Sequence, residues 1–289
     1  MSDDARARAR GFSAHRSYRV DAAGIHALGS DIPSESLLTL FVNGREFVSL
    51  MATPTDPDAL ALGFLLNEGV IHRREDVRVL HVCKAGGCVD VWLAYEVPDS
   101  PRRQIITSGC AGGVTFDDLT QARPPLTSTL TASPAQLQRL MSALYNASAL
   151  HERAGGTHTS ALCRGEELLF VAEDVGRHNT LDKVRGLAFK AGADTRDGIL
   201  VTTGRVSSEM LSKAHAMGAP IVASRTSPTS LSALMAEAWN ITLVGYVRRD
   251  RLTVYTHPWR LLGASLAASG DHGSDPGARP PAPSEGNLV

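Results

Sequence analysis

A surplus of either charge is the first thing this chain lacks. Its 29 basic and 30 acidic residues leave a net charge of −1. Without a basic excess, a general nucleic-acid or membrane-surface binder is not the expected class. Lysine is scarce: Lys84, Lys183, Lys190 and Lys213 are the only lysines, a bias that reads as genome composition rather than function. Cysteine is scarce too, and four in 289 residues make no disulfide framework. No apolar run reaches the ~18 residues of a membrane span. The N-terminal MSDDARARARGF has arginines but no apolar stretch behind them, so no secretory signal is expected. Reduced cysteines and a cytoplasmic location follow as the expectation. No internal repeat is visible. What is present is 43% hydrophobic residues, ample for a substantial core.

Both ends are expected to be disordered. Residues 1–15 are rich in Arg and Ala, and 263–289 in Gly, Pro and Ser, with almost nothing to bury. Between them, 16–130 reads as a β-rich part and 131–262 as an α/β domain. In the first, LLTLFVNGREFVSLM sets two apolar runs around Asn43-Gly44, a strong hairpin signal. TDPDALALGFLLNEGVI predicts a helix capped by Thr55 or Asp56, with Pro57 in its first turn, Leu60, Phe64 and Leu65 on one face, and Gly69 at its end. VRVLHV, VDVWLAYEV and RQIIT are strand candidates, the last leading to Cys110. In the second part, SPAQLQRLMSALYNASAL predicts a helix with Pro134 at its start. ELLFVAEDV, GILVTTG, PIVASR and ITLVGYV then predict strands alternating with helices. The fold class is therefore α/β, a buried sheet, mixed or largely parallel, covered by helices. Ligands in such sheets bind beyond the carboxyl ends of the strands.

Three strand–helix junctions, EDVGRHNT, TTGRVSSE and SRTSPTS, combine hydroxyls with Arg177, Arg205 and Arg225. One reading is phosphate binding at helix N-termini, with bidentate contacts from the arginines. The other is ordinary capping by Ser207, Ser227 or Thr229 beside solvated arginines. No Walker or G-x-G-x-x-G fingerprint supports a standard nucleotide fold. The stretch Tyr246-Val247-Arg248-Arg249-Asp250-Arg251 lies between two strand candidates. It is either a solvated tip or one that grips an anionic ligand, with Tyr246 able to stack on a purine. His158 and His178 lack the companions of a zinc site, and the zinc deaminase signature is absent. The spacing of Cys83 and Cys88 permits half a zinc site or a redox pair, but no second ligand pair follows, so two incidental cysteines flanking a turn are the expectation, and Cys163 reads as core. Cys110, in TSGCAGGV, sits among glycines with no acidic residue closer than Asp117. That is the setting of a reactive thiol.

The strings DALALGFLLNEGVI, TSGCAGG, GGTHTSAL, EDVGRHNTLDKV, GRVSSEM, SRTSPTSL, ITLVGYVR and VYTHPWRL, in this order over residues 55–260, resemble the FdhD-type formate dehydrogenase accessory sulfurtransferases. The resemblance implies a cytidine deaminase-like fold without zinc. It further implies a sulfur carrier that accepts sulfur from a cysteine desulfurase as a persulfide on Cys110. The sulfur then passes to the molybdenum bis-guanine-dinucleotide cofactor before that cofactor enters formate dehydrogenase. The cofactor-binding segment would be Tyr246 to Arg251, in a homodimer; the implied ligand also fits the independent reading of the junctions, where Arg177, His178, Arg205, Ser207 and Arg225 would be further contacts. Many members carry C-x-x-C in the cysteine loop, whereas the second position here is Gly113. The alternative is a cofactor-binding chaperone without sulfur chemistry. A deaminase or hydrolase on the related fold is a third class, disfavoured by the missing zinc ligands.

Overall fold

Asn43 and Gly44 both adopt left-handed conformations, φ 51° and 76°, the geometry of a tight type I′ hairpin turn. They join β3 (Ser36–Val42) to β4 (Arg45–Ala52) as the sequence predicts. The computed structural model describes residues 11–84, 86–97, 105–106, 114–115 and 123–263. Before this turn, β1 (Phe12–Asp21) and β2 (Gly24–Pro33) form an antiparallel hairpin of their own. It begins inside the segment expected to be disordered.

β3 and β4 belong to a four-stranded sheet of order β4-β3-β6-β5, with β5 at Val77–Val82 and β6 at Cys88–Leu93. The β5–β6 hairpin is closed by a disulfide between Cys83 and Cys88, whose Cα atoms are 5.3 Å apart. This corrects the expectation of reduced cysteines merely flanking a turn. β7 (Ile105–Ile106) and β8 (Val114–Thr115) pair antiparallel. The residues between them, Cys110 included, lie outside the described residues.

Helix α1 (Pro57–Asn67) packs against the four-stranded sheet. Asp56 precedes it with φ 50° but its side chain caps nothing; Asp58 Oδ1 instead accepts from the Ala59 N–H at 2.8 Å. Every residue from Ala59 to Asn67 is buried, so the single apolar face expected from the sequence is too narrow a description. The reason is a second partner, the helix Arg177–Ala191, which packs directly on it.

Residues 123–263 form the α/β part. α2 (Pro134–Asn146) and the short α3 (Ala149–Ala154) precede β9 (His158–Arg164) and β10 (Glu167–Asp174). Then follow α4 (Arg177–Ala191), β11 (Ile199–Thr202), α5 (Ser208–Ala216), β12 (Ile221–Ser224), α6 (Ser230–Ala238), β13 (Thr242–Gly245) and β14 (Thr253–Val254). The six-stranded order is β10-β9-β11-β12-β13-β14. β11, β12 and β13 run parallel at the centre, while β9, β10 and β14 are antiparallel to their neighbours, so the sheet is the mixed form of the expected α/β fold.

Alternate residues of these strands serve opposite faces, as strand geometry requires. Leu162, Leu200, Val222 and Leu243 pack with α4, α5 and α6. Ala161, Cys163, Ile199, Val201, Ile221, Ala223 and Val244 pack with Leu137, Leu140 and Leu144 of α2. Burying each such leucine stabilises the fold by about 1.5–3 kcal/mol. Cys163 is fully buried, as expected of a core residue, and burial pushes its thiol up to about 12. α4 crosses α1 so closely that a Cβ on Gly63 would collide with the backbone carbonyl of Asp182, and one on Gly186 with that of Ala59. Among the described residues no helix is long and apolar enough to cross a membrane.

Candidate functional site

β11, β12 and β13 end side by side at Thr202, Ser224 and Gly245, which gathers the junctions singled out in the sequence along one edge. At two of them the hydroxyls are helix caps. Ser207 Oγ accepts from the Met210 N–H at 3.4 Å, and Thr229 Oγ1 from the Ser232 N–H at 3.3 Å. Each occupies a helix-end N–H that would otherwise be open.

Arg225 is held differently. Its Nη1 donates to the Val247 carbonyl at 3.0 Å, and its guanidinium carbon lies 5.8 Å from the centre of the Tyr145 ring. Arg248 Nη1 donates back to the Arg225 carbonyl. The Arg248 N–H donates to the Arg251 carbonyl at 2.8 Å, closing the tip between β13 and β14. Tip and helix enclose an open cleft of about 390 Å³, between Gln138, Ser142 and Tyr145 of α2 and the chain from Val247 to Arg251. Its walls carry Arg225, Arg248, Arg249 and Arg251 against one acidic residue, Asp250. Asp250 meets Arg251 Nη1 at 3.2 Å, with both side chains largely in solvent, where such a pair holds weakly. The cleft therefore suits an anion carrying a flat ring: guanidiniums for phosphate, and a tyrosine face for stacking.

Two residues of the predicted segment play other parts. Val247 is fully buried in the core and gives the cleft only its main chain. Tyr246, at φ 50° and half exposed, does not line the cleft. The aromatic ring comes from Tyr145, a residue of α2 for which the sequence suggested no binding role. Its signal was a polar, aromatic end, Tyr145-Asn146, on an otherwise amphipathic helix.

Arg177 and His178 are likewise not open phosphate contacts. Arg177 is 4% exposed, tucked against Gly204 so closely that a Cβ there would fall 2.9 Å from Arg177 Cβ. His178 Nε2 lies 3.1 Å from Ser207 Oγ and 3.4 Å from Glu209 Oε2, an arrangement that a proton on Nε2 satisfies. Burial, reinforced by Lys213 and Arg177, pushes its pKa down to about 2, so the ring is neutral. Arg205 is exposed. His158, at the same edge, is also driven toward neutrality, first by burial and then by Arg177, His151 and Arg205.

Beneath this edge lies a buried ionic layer. Lys183 Nζ meets Asp174 at 2.7 Å and donates to the Thr53 carbonyl at 3.0 Å and to Thr55 Oγ1 at 3.1 Å. Lys213 Nζ meets Asp182 at 2.6 Å and Glu209 at 3.4 Å, and Asn67 Nδ2 donates to Asp182 at 2.6 Å. Burial opposes the charge on Lys213, but the carboxylates of Asp182, Glu209 and Glu68 outweigh it and raise its pKa. Two of the four lysines thus bind α1 and its approach to α4 and α5. Among the described residues no group of three or more His, Cys, Asp or Glu is placed to hold a metal ion.

Residues 33–262, which include every cleft residue, match the model of the FdhD/NarQ family. The chain belongs to that family. Its FdhD/NarQ relatives include the sulfur carrier protein FdhD of Bacillus subtilis, 37% identical over 250 residues, or 84% of this chain and 95% of that protein. The sulfur carrier protein FdhD of Halalkalibacterium halodurans is 36% identical over 239 residues, 80% of this chain and 88% of that one. A crystal structure from Desulfotalea psychrophila, of a protein assigned as a formate dehydrogenase accessory protein, shares the fold. It aligns with a TM-score of 0.74 at 28% identity, over 87% of this chain and 100% of that chain. The FdhD/NarQ match spans the four-stranded sheet, α1 and the six-stranded sheet alike.

Proposed function

We propose that this FdhD/NarQ protein is a cytoplasmic sulfurtransferase, a sulfur carrier required for formate dehydrogenase activity. In this reading the Cys110 thiolate attacks the outer sulfur of a cysteine desulfurase persulfide. The desulfurase cysteine leaves as thiolate and Cys110–S–SH forms. The substrate that receives the sulfur is the molybdenum bis-guanine-dinucleotide cofactor, before it enters the formate dehydrogenase apo-enzyme. Family membership supports the sulfur chemistry. The observation that carries the cargo assignment is the cleft, with four arginines for pyrophosphate and the Tyr145 ring for a guanine face. A homodimer is part of the proposal. The β1–β2 hairpin exposes Tyr18, Val20 and Ile25, and a two-stranded hairpin is marginal in water unless something covers it.

The test is intact mass spectrometry after incubation with a cysteine desulfurase and cysteine. Wild type is expected to gain about 32 Da, removable by reductant, and Cys110→Ala to gain nothing. The same gain in both proteins would sink the persulfide assignment. Titration with guanosine diphosphate tests the cleft independently.

A further inference from the structure

Cys83 and Cys88 face each other across the end of the β5–β6 hairpin. The Cys83 N–H donates to the Cys88 carbonyl at 3.0 Å. The ladder continues behind them through Val82↔Val89 and His81↔Asp90, and β3 pairs with Cys88 from the other side through Thr39. The strands are therefore registered by backbone hydrogen bonds whether or not the sulfurs are joined. A cross-link over so short a loop removes little chain entropy compared with one closing a long loop. When reduced, both thiols stay within bonding reach, because the hairpin holds their Cα atoms 5.3 Å apart.

Access and reactivity point the same way. Both cysteines are half-buried, Lys84 beside Cys83 is exposed, and a Cβ on Gly86 would meet nothing within 4 Å. A disulfide that is only partly buried is open to thiol–disulfide exchange. Cys163 is the contrast: fully buried, with its thiol raised to about 12, it is unsuited to exchange. Among the described residues, the only accessible sulfur chemistry is this pair.

The geometry points to Cys83 and Cys88 as a dithiol–disulfide couple that accepts a sulfane sulfur and releases it as hydrosulfide; this rests on the sulfur-carrier reading above. The Cys83 thiolate attacks the outer sulfur of a persulfide R–S–SH, giving Cys83–S–SH and RS⁻. The Cys88 thiolate then attacks the inner sulfur of Cys83–S–SH, forming the Cys83–Cys88 disulfide and expelling HS⁻. The two thiols are oxidised, the sulfane sulfur is reduced by two electrons, and the protons leave with RSH and H₂S. A dithiol reductant, small or protein-borne, returns the pair to its starting state. Sulfur handed on as sulfide requires such a two-electron donor, and this hairpin supplies one once its disulfide has been reduced.

The full-length protein is reduced, freed of reductant anaerobically, and mixed with glutathione persulfide as the probe. Cys110→Ala is expected to release about one equivalent of hydrosulfide per chain and to finish with Cys83 and Cys88 joined, about 2 Da lighter than at the start. Cys110→Ala combined with Cys88→Ser is expected to stop at the persulfide, about 32 Da heavier, and to release none. Hydrosulfide release from Cys110→Ala no greater than from a variant also lacking Cys83 and Cys88 would overturn the proposal. The Cys110 assignment is read separately, as the persulfide gain of Cys83→Ser/Cys88→Ser with the desulfurase, so either can fail without the other.

Discussion

The guanidinium carbon of Arg225 stands 5.8 Å from the ring centre of Tyr145, while its Nη1 is anchored on the Val247 carbonyl at 3.0 Å. The first contact comes from α2 and the second from the β13–β14 tip, so one side chain ties both walls of the cleft together. An arginine held in this way presents its remaining N–H groups to the cleft in a fixed plane, the arrangement that a bidentate phosphate contact needs.

Arg225→Ala is expected to weaken guanosine diphosphate binding about tenfold or more, the scale of a lost charge-assisted contact. Arg225→Lys should not restore it, because an ammonium supplies neither the planar fork nor the same contact with the ring. Tyr145→Leu should weaken binding without changing its dependence on salt, whereas Arg251→Ala should reduce that dependence. Calorimetric titrations at two ionic strengths separate these outcomes.

Gly63→Ala should be among the most damaging small substitutions in the chain. The added methyl has a backbone carbonyl in its way, which neither helix can move without unpacking α1 from α4. A loss of about 4 kcal/mol or more is expected, seen as a fall in Tm of roughly 8 °C or more for a chain of this size. Gly63→Ala/Gly186→Ala should cost less than the sum of the two, since both strain the same crossing. An unchanged Tm for Gly63→Ala would contradict the close packing.

Lys213→Met leaves Asp182 and Glu209 buried without their cation. Breaking one side of such a pair costs about 3–5 kcal/mol. Lys213→Met/Asp182→Asn should recover part of that loss, because the neutral amide still meets Asn67 and one stranded charge is gone. Urea denaturation midpoints compare the three proteins.

Stability should fall as pH drops below neutrality, with His178 as a main cause. The folded ring, at about 2, binds no proton between pH 7 and 5, whereas the unfolded ring, near its ordinary value of about 6.5, does. The unfolded state therefore takes up more protons, and stability rises with pH through this window and levels off above it. His178 alone accounts for about 2 kcal/mol between pH 5 and 7. His158, shifted the same way, adds to it. His178→Gln, which keeps a donor toward Ser207, should flatten the curve, and equal slopes in wild type and variant would refute the assignment.

What could be read from the sequence was what neighbouring residues decide among themselves. Asn43-Gly44 made its turn because glycine and asparagine tolerate left-handed backbone better than other residues. The short strands of 158–245 were visible because their apolar runs are bounded by turn and cap residues. Ser207 and Thr229 capped their helices as hydroxyls at such positions do. The same local logic misjudged Asp56, whose side chain caps nothing once its backbone turns left-handed, and missed the β1–β2 hairpin, whose strands show no buried face to mark them.

Composition, periodicity and motif order thus determined an α/β protein of recognisable family, with an arginine-rich tip between two strands and a glycine-bounded cysteine. The tertiary structure alone decided which of these groups meet. Sheet order, which no local pattern encodes, set Arg225 against Tyr145, brought Thr53, Thr55 and Asn67 to the buried Lys183–Asp174 and Lys213–Asp182 pairs, and enclosed Val247 while leaving Arg249 and Arg251 at the cleft. A side chain's chemistry is written in its own residue, but its partner, burial and protonation depend on what the fold packs against it.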